Sequence, residues 1–296
     1  MTWLENLQKS ISYIESHLLD ENLTADTVAR EACISSFYFQ KGFAILTGYS
    51  VVEYIRNRKL YLSAIDIARG EKVLDAALKY GWETSESFSK AFSRFHGTPP
   101  ASVKGDTSRI KVFMPLKIQV KVVGGNEMDY KIEKMESFKV IGFSRVFNMK
   151  TSYTEIPKFW DEVYEKYSKQ LCEGKDPQTP VEKAIVENQI GMFGICIEDG
   201  KDGNFNYMIA GCYKGGDVPA EMTTYQIPEC EWAKFECAGP MPGSLQSVNT
   251  AIFNEWLPTN DKYNIACGLN IEWYSPDGKP SDLDYKSAIW IPVKEK

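Results

Sequence analysis

Histidine is scarce in this chain of 296 residues: only His17 and His96 occur, and both lie in the first third. Zinc sites and Ser-His-Asp triads depend on histidine, so neither is expected in the last two thirds. Cysteine occurs 7 times, an odd number, and no two cysteines have the Cys-x-x-Cys spacing. Separate reduced thiols are the simplest interpretation, and the sequence predicts no metal, no cofactor and no catalytic residues.

Long hydrophobic runs are lacking as well. None approaches the ~20 apolar residues that a membrane span requires. The first residues, Met1-Thr2-Trp3-Leu4-Glu5, contain neither the basic start nor the apolar stretch of a secretory signal. We therefore expect a protein of the cytoplasm with no membrane partner.

An excess of positive charge, the usual mark of a nucleic-acid-binding protein, is also absent, because the formal net charge is -6. The charges are unevenly distributed, however. Residues 1–105 hold 12 basic and 12 acidic residues, and the remainder holds 22 and 28. A neutral domain still binds phosphate if its basic residues share a face, so a DNA-binding domain at the N-terminus is not excluded. The length itself favours two domains.

The first hundred residues contain an internal repeat with a period of about 49 residues. Segments 27–48 and 75–97 each contain an Ala-rich helix, a tight turn and a helix that begins at Ser or Thr. This is the order of a helix-turn-helix motif, whose second helix enters the major groove of DNA. A helical stretch from Ser50 to Arg69 joins the copies and is expected to fix the spacing of the two recognition helices. The paired positions are Phe39 and Phe88, Lys41 and Lys90, Phe43 and Phe92, and Gly48 and Gly97.

Three segments of the repeat region carry a more specific signature. They are Tyr54-Ile55-Arg56-Asn57-Arg58-Lys59, Ala76-Ala77-Leu78-Lys79-Tyr80-Gly81-Trp82, and the stretch from Ser87 to Pro100 that ends in Gly97-Thr98-Pro99-Pro100. Together they resemble the DNA-binding domain of the AraC/XylS family over about residues 5–105. The resemblance implies double-stranded DNA as a partner.

The same resemblance implies two recognition helices. The first is Ser35–Thr47 and exposes Ser36, Phe37, Gln40 and Lys41; the second is Thr84–Phe95 and exposes Ser85, Glu86, Ser89 and Lys90. Gln pairs with adenine, Lys with guanine, and Glu accepts from cytosine. Arg94 joins the DNA-contacting set, and Arg56, Arg58, Lys59 and Lys104 suit phosphate contact or pairing within the scaffold. Cys33 departs from the family, since it stands where a turn glycine is usual.

After residue 117 the apolar pattern changes to a period of two, which predicts β-strands. Two helices interrupt the strands, one with an apolar face from Ile156 to Tyr167 and one from Leu245 to Trp256. The order β-β-α-β-β, repeated twice, predicts a pseudo-twofold antiparallel sheet with helices on one face and a cleft between the halves. The predicted strands are 117–123, 130–135, 139–147, 190–198, 206–214, 222–227, 231–237, 268–274 and 286–293.

This second region resembles the GyrI-like effector-binding domain over about residues 116–296. The motifs that carry the resemblance are Asp129-Tyr130-Lys131-Ile132-Glu133, Phe138-Lys139-Val140-Ile141-Gly142, Ile156-Pro157-Lys158-Phe159-Trp160, Ile271-Glu272-Trp273-Tyr274 and Ile289-Trp290-Ile291-Pro292-Val293. The order of the two domains is similar to the Rob-like arrangement.

In drug-sensing members of that family a buried glutamate receives cationic, aromatic ligands, and Glu272 matches its position. Strand alternation places Asn270, Glu272 and Tyr274 on one face. Trp160, Tyr207, Phe193 and Tyr225 complete the predicted ligand-binding set. A carboxylate among aromatic rings attracts a large cation through charge and cation–π terms.

These patterns predict an α+β protein: an all-α double helix-turn-helix domain (residues 1–107), a linker (108–116) and an effector-binding domain (117–296). The predicted function is a transcriptional regulator that binds DNA and a small aromatic or cationic effector, contacts RNA polymerase and has no enzymatic activity. Two alternatives stay open at this point. The second domain is a hydrolase that uses Glu272 as a general base, or it binds a protein partner.

Overall fold

The computed structural model describes residues 3–118, 128–198 and 203–296. Its N-terminal part is helical, and a large sheet follows. The helices before the sheet are α1 (Trp3–Ser16), α2 (Ala25–Glu31), α3 (Ser36–Thr47), α4 (Val51–Ala68), α5 (Val73–Lys79) and α6 (Ser85–His96). Short 3₁₀ turns at Pro100–Val103 and Thr107–Arg109 end this part.

Side-chain caps define where these helices begin. The Thr24 hydroxyl accepts a hydrogen bond from the Thr27 backbone N–H, and the Thr27 hydroxyl accepts one from the Thr24 backbone N–H. Ser50 and Glu53 form the same reciprocal capping box at the start of α4. Such boxes satisfy amide groups that a helix leaves without partners in its first turn. Thr24 is therefore the N-cap of α2.

The two helix-turn-helix repeats have matching turns. Cys33 has φ 54° and Gly81 has φ 85°, so both lie in the left-handed region. After each turn the same backbone hydrogen bond forms, from Ile34 N to Ala29 O and from Trp82 N to Ala77 O, each 3.0 Å long. The repeat seen in the sequence thus extends to the backbone. The left-handed backbone at this turn also explains why a glycine is expected where this chain has Cys33.

The segment predicted as a linker, 108–116, packs along the helical domain. Ile110 is buried with the second repeat, and the Phe113 carbonyl accepts a hydrogen bond from Arg58. The Leu116 amide donates to the Tyr54 hydroxyl at 3.2 Å. Of the strand predicted at 117–123, residues 117 and 118 are not in a strand, and the rest lies outside the described residues.

The sheet is antiparallel and has nine strands within the described residues. Its order is β1-β6-β9-β8-β3-β4-β2-β5, with β7 paired to β9. If β1 is exchanged with β5, β2 with β6, β3 with β8 and β4 with β9, the same order is obtained in reverse. The two halves of the sheet are therefore equivalent, which is the predicted pseudo-twofold arrangement. The strands are β1 (Lys131–Met135), β2 (Phe138–Asn148), β3 (Phe193–Glu198), β4 (Asn204–Cys212), β5 (Thr223–Ile227), β6 (Cys230–Ala238), β7 (Tyr263–Ile265), β8 (Leu269–Tyr274) and β9 (Lys286–Glu295).

Helices cover one face of the sheet, as predicted. They are α7 (Ser152–Val163), which continues through a π-helical turn (Tyr164–Ser168) into α8 (Lys169–Cys172); α9 (Pro180–Asn188); and α10 (Gly243–Ala251), which continues through a second π-helical turn (Ile252–Trp256) into α11 (Leu257–Thr259). Their buried side chains join one hydrophobic cluster, and a second cluster gathers buried strand residues of the other face. The fold is therefore α+β, with α9 and β7 added to the predicted elements.

Candidate functional site

A cavity of about 1010 Å³ lies between the two parts of the chain. Its floor is β3 and β8, the two central strands of the sheet, and α7 and α10 form its sides. Side chains of α3 and the start of α4 form the remaining wall. The cleft predicted between the two halves of the sheet thus exists, but a wall from the helix-turn-helix domain was not predicted.

Glu272 of β8 lies on the floor of this cavity. Its carboxylate accepts hydrogen bonds from the Tyr207 hydroxyl at 2.6 Å and the Tyr274 hydroxyl at 2.8 Å. Trp160 Nε1 donates in turn to the Tyr207 oxygen at 3.0 Å. The carboxylate is therefore held in one orientation by a chain of hydrogen bonds that begins on α7 and ends on the sheet.

Gly194 of β3 makes room for this network. A Cβ atom at that position would lie 2.0 Å from the Tyr207 hydroxyl and 2.6 Å from Glu272 Oε2. Both distances are shorter than van der Waals contact. Any larger residue at 194 would push the two groups apart, so this glycine is part of the site.

Burial dominates the electrostatics of Glu272. It raises the pKa of this carboxyl above its usual range, because removing the charge from water is costly. The Tyr207 hydroxyl, the positive charge of Lys41 and the Tyr274 hydroxyl act in the opposite direction. Burial also raises the pKa of both tyrosines well above its ordinary value, so each hydroxyl keeps its proton and donates a hydrogen bond to Glu272.

Aromatic and apolar groups surround the carboxylate. The rings of Trp160 and Tyr274 meet edge to face, with centroids 5.0 Å apart. Ile156, Met241 and Leu245 extend the apolar lining. A carboxylate on the floor of a large, mostly apolar cavity is the arrangement that suits a bulky organic ligand of positive charge.

The wall supplied by α3 contributes a positive charge. The Lys41 ammonium lies 5.4 Å from the ring centre of Phe37 and 5.8 Å from that of Phe253. It is near enough to Glu272 to lower the pKa of that carboxyl. Above it, Lys150 and Glu53 form an ion pair that joins the sheet domain to α4.

Hydrogen bonds fix α3 against the sheet domain. The Glu198 carboxylate accepts from the Ser35 hydroxyl at 3.0 Å and from the Phe37 amide at 2.9 Å, at the start of the helix. Farther along, Gln40 Oε1 accepts from the Gly203 amide at 2.7 Å. The Tyr38 hydroxyl donates to the Leu269 carbonyl at 2.5 Å.

This docking corrects one prediction for the first recognition helix. Phe37 and Gln40 were expected to be exposed, but they are only 1% and 6% exposed because the sheet domain covers them. Ser36 and Lys41 are half-buried. A role of these four residues in DNA contact stays a prediction, and it requires α3 to leave this position.

The second recognition helix, α6, is open. Ser85, Glu86, Lys90 and Arg94 are exposed, and Ser89 is half-buried. Lys90 and Glu86 form an ion pair of 2.8 Å with 74% and 79% of their side chains exposed, which contributes little to stability. These residues are free to meet DNA without rearrangement.

Two residues of the predicted ligand-binding set are misplaced. Phe193 and Tyr225 do not line the cavity, and both pack in the cluster on the opposite face of the sheet. Tyr207 is fully buried and is linked to the site through its hydrogen bonds to Glu272 and Trp160. Glu272, Tyr274 and Trp160 do line the cavity.

Sequence reasoning missed the α3 wall, although a signal was present. The repeat places Phe37 where α6 has Glu86, and Ile45 where α6 has Arg94. An apolar residue at a position that should face solvent or DNA indicates a covering surface. Within the described residues, no helix is long and apolar enough to cross a membrane, and no cluster of His, Cys, Asp and Glu could hold a metal.

Two families of known proteins match the chain. Residues 131–293 match the family described as integron-associated effector binding protein, which covers more than half of the chain, and residues 28–105 match the helix-turn-helix domain. Both resemblances drawn from the sequence motifs are therefore confirmed.

Individual relatives are regulators. SoxS, a regulatory protein of Salmonella typhimurium, is 34% identical over 101 residues, which are 33% of this chain and 94% of SoxS. YbfP, an HTH-type transcriptional regulator of Bacillus subtilis, is 28% identical over 154 residues, 48% of this chain; the match spans 52%, about half, of YbfP. A solved structure of SAV2435 bound to tetraphenylphosphonium aligns with a TM-score of 0.46 and 22% identity over 56% of this chain and 94% of that chain. The chain belongs to the integron-associated effector-binding protein family, and it carries that domain behind an AraC-type helix-turn-helix domain.

Proposed function

We propose that this protein is a sequence-specific DNA-binding transcription regulator controlled by a bulky, cationic and aromatic effector. The observation that carries the proposal is Glu272, a half-buried carboxylate with a raised pKa on the floor of a large, mostly apolar cavity. A hydrated metal ion or a small polar ligand would leave most of that cavity unfilled. A lipophilic cation fills it and neutralises the carboxylate.

The cavity is proposed to bind its effector without turning it over. Both tyrosine hydroxyls donate to Glu272, so they hold the carboxylate as an acceptor. The rings of Trp160 and Tyr274 line the cavity and offer stacking and cation–π contact to the same ligand. Contact with RNA polymerase stays a prediction of the family resemblance.

DNA recognition is assigned to α3 and α6. Lys90 and Arg94 on α6 are exposed and suit base or phosphate contact. Arg58, which was considered for phosphate contact, is buried in an ion pair of 2.8 Å with Glu15 and has a structural role. Arg56 is exposed near the start of α4 and remains available.

Cation binding is tested first, by calorimetry with tetraphenylphosphonium and the full-length chain. Wild type should bind, and Glu272→Gln should bind at least about tenfold more weakly, which corresponds to ~1.4 kcal/mol. Glu187→Gln, at an exposed position of α9, is the matched control and should bind like wild type. Equal binding by Glu272→Gln and wild type would contradict the charged-pocket proposal.

DNA binding is tested by selecting duplexes from a random-sequence pool with the full-length chain. An enriched common sequence is expected, with affinity that falls as salt concentration rises. The double variant Lys90→Ala, Arg94→Ala should bind the selected duplex at least ~30-fold more weakly, since two contacts of about 1–3 kcal/mol each give at least ~2 kcal/mol. No enrichment over the starting pool would overturn the DNA-binding half of the proposal.

A further inference from the structure

We propose that the sheet domain keeps the first recognition helix, α3, docked as a wall of the effector cavity and so away from DNA. A cationic effector releases α3 by taking the place of the Lys41 ammonium. This inference rests on the proposed function, because it names how the same cavity controls DNA binding. It assigns to Lys41 a role within the unliganded protein in addition to its predicted contact with DNA.

The face of α3 that docks is the face that would enter a major groove. Phe37, Gln40 and Lys41 are equivalent by the repeat to Glu86, Ser89 and Lys90 of α6. Phe37 and Gln40 are buried under the sheet domain, whereas Glu86 and Lys90 are exposed. A helix cannot present one face to a groove and to a protein domain at once. Docking of α3 and DNA binding by α3 therefore exclude each other.

The composition of α3 suits docking against the sheet domain. Where α6 carries Glu86, Ser87 and Arg94, α3 carries Phe37, Tyr38 and Ile45. The Phe37 ring meets Phe205 of β4 edge to face, with centroids 5.6 Å apart, and Tyr38 lies 6.2 Å from Phe253. A helix that met only DNA and solvent would gain nothing from these apolar residues. They indicate a protein surface as a regular partner of α3.

Lys41 lies where an effector cation would lie. Its ammonium is near two aromatic rings, those of Phe37 and Phe253, and it lines the same cavity as Glu272. This is the combination of rings and carboxylate that attracts a lipophilic cation. Two positive charges beside one carboxylate repel each other, so the effector binds better once Lys41 has moved.

Release follows from this difference in affinity. An effector shifts a two-state equilibrium only as far as its affinities for the two states differ. Tenfold tighter binding to the undocked state shifts the docked-to-undocked ratio tenfold at saturation. The contacts that oppose release are the Glu198 bonds to Ser35 and Phe37, the Gly203 bond to Gln40, and the aromatic contacts of α3.

The first test removes the internal cation. Lys41→Met should bind tetraphenylphosphonium about three- to tenfold more tightly than wild type, because the competing ammonium is gone. Lys9→Met, at an exposed position of α1, is the matched control and should keep the wild-type affinity. Weaker or unchanged binding by Lys41→Met would overturn the competition between Lys41 and the effector.

The second test follows α3 directly by amide hydrogen exchange of the full-length wild-type chain. Saturating tetraphenylphosphonium should accelerate exchange in α3 at least about threefold while leaving α6 unchanged. Slower exchange would mean that the ligand fastens α3 in place, and unchanged exchange would mean that the cavity and the helix are not linked. Either result overturns the inference.

The third test weakens docking without touching Glu272 or Lys41. Glu198→Ala removes the acceptor for Ser35 and Phe37, so the selected duplex should bind more tightly without effector, and added effector should have less influence. Glu187→Ala, exposed on α9, serves as the control. If the cation binds through Glu272 and DNA is bound, but Glu198→Ala behaves like its control, the inference fails and the proposed function stands. If wild type binds neither ligand, the proposed function fails as well.

Discussion

The two helix-turn-helix repeats have the same backbone and opposite surroundings. Their turns share a left-handed residue and the same hydrogen bond, and their second helices, α3 and α6, both have 12 residues. Yet α3 is buried against another domain, whereas α6 faces solvent. Local sequence thus determines the shape of each repeat, and the side chains on one helical face determine whether that repeat is available.

The contrast is clearest for the two equivalent lysines. Lys90 is exposed and paired with Glu86 one turn away, an interaction that water and salt screen. Lys41 lies over two rings and its positive charge acts to lower the pKa of Glu272. A lysine at the same position of the motif therefore lies on a solvated surface in one copy and lines an internal cavity in the other.

Truncating the docked face should have the largest effect. Phe37→Ala is expected to lower the free energy of unfolding by ~3 kcal/mol, as for other buried phenylalanines. Glu86→Ala at the equivalent position of α6 should change it by less than ~0.5 kcal/mol. Urea denaturation measures both, and similar losses in the two variants would break the contrast between the repeats.

The buried carboxylate should make cation binding dependent on pH. Because burial raises the pKa of Glu272, lowering the pH from neutral protonates it before an ordinary glutamate of pKa ~4.3. Affinity for tetraphenylphosphonium should then fall, approaching tenfold for each pH unit below that pKa. Glu272→Gln should show a flat profile over the same range, measured by calorimetry.

Protonation of Glu272 should stabilise the fold, although it should weaken cation binding. An acid with a raised folded-state pKa binds more protons when folded, so lowering the pH through that pKa stabilises the fold. Loss of cation binding at lower pH should therefore appear without loss of thermal stability from this group. A parallel fall in both would assign the change to unfolding instead of to Glu272.

The turn residues should give the smallest effect. Cys33→Gly is expected to raise the free energy of unfolding by about 0.5 kcal/mol, because relief of left-handed strain of ~1–2 kcal/mol exceeds the extra entropy of an unfolded glycine. Gly81→Ala should be destabilising for the same reasons. Cys33→Ala keeps the strain and serves as the control. Destabilisation by Cys33→Gly would mean that the thiol contributes packing that outweighs the backbone.

Sequence patterns predicted the helices of both repeats, the two main helices of the sheet domain and the alternation of β8, because these depend on residues close in the chain. They did not predict which strand faces meet. Phe193 pairs with Trp273, and Gly194 pairs with Glu272. Phe193 therefore lies on the face of the sheet opposite to Glu272. A shift of one residue along a strand reverses its face, and the register between strands distant in sequence is not readable from either strand alone.

The partner of α3 was unpredictable for a related reason. Phe37 and Ile45 indicate that a surface covers α3, but Gln40 and Gly203 are 163 residues apart, and no local pattern shows which surface that is. By contrast, the position of Glu272 followed from a motif, and its neighbour Tyr274 from strand alternation. The residues that complete the cavity wall come from the helix-turn-helix domain, and no local sequence pattern shows that this domain contacts the cavity.

α4 runs without a break for 18 residues, about 27 Å at 1.5 Å per residue. A rigid helix of this length would hold α3 and α6 a fixed distance apart. If α3 docks as proposed, the chain would contact DNA through α6 alone and would read one major-groove segment instead of two. The number of base pairs whose substitution weakens binding should roughly double on release. An effector would then change which genomic sites the protein distinguishes, as well as how long it stays on each.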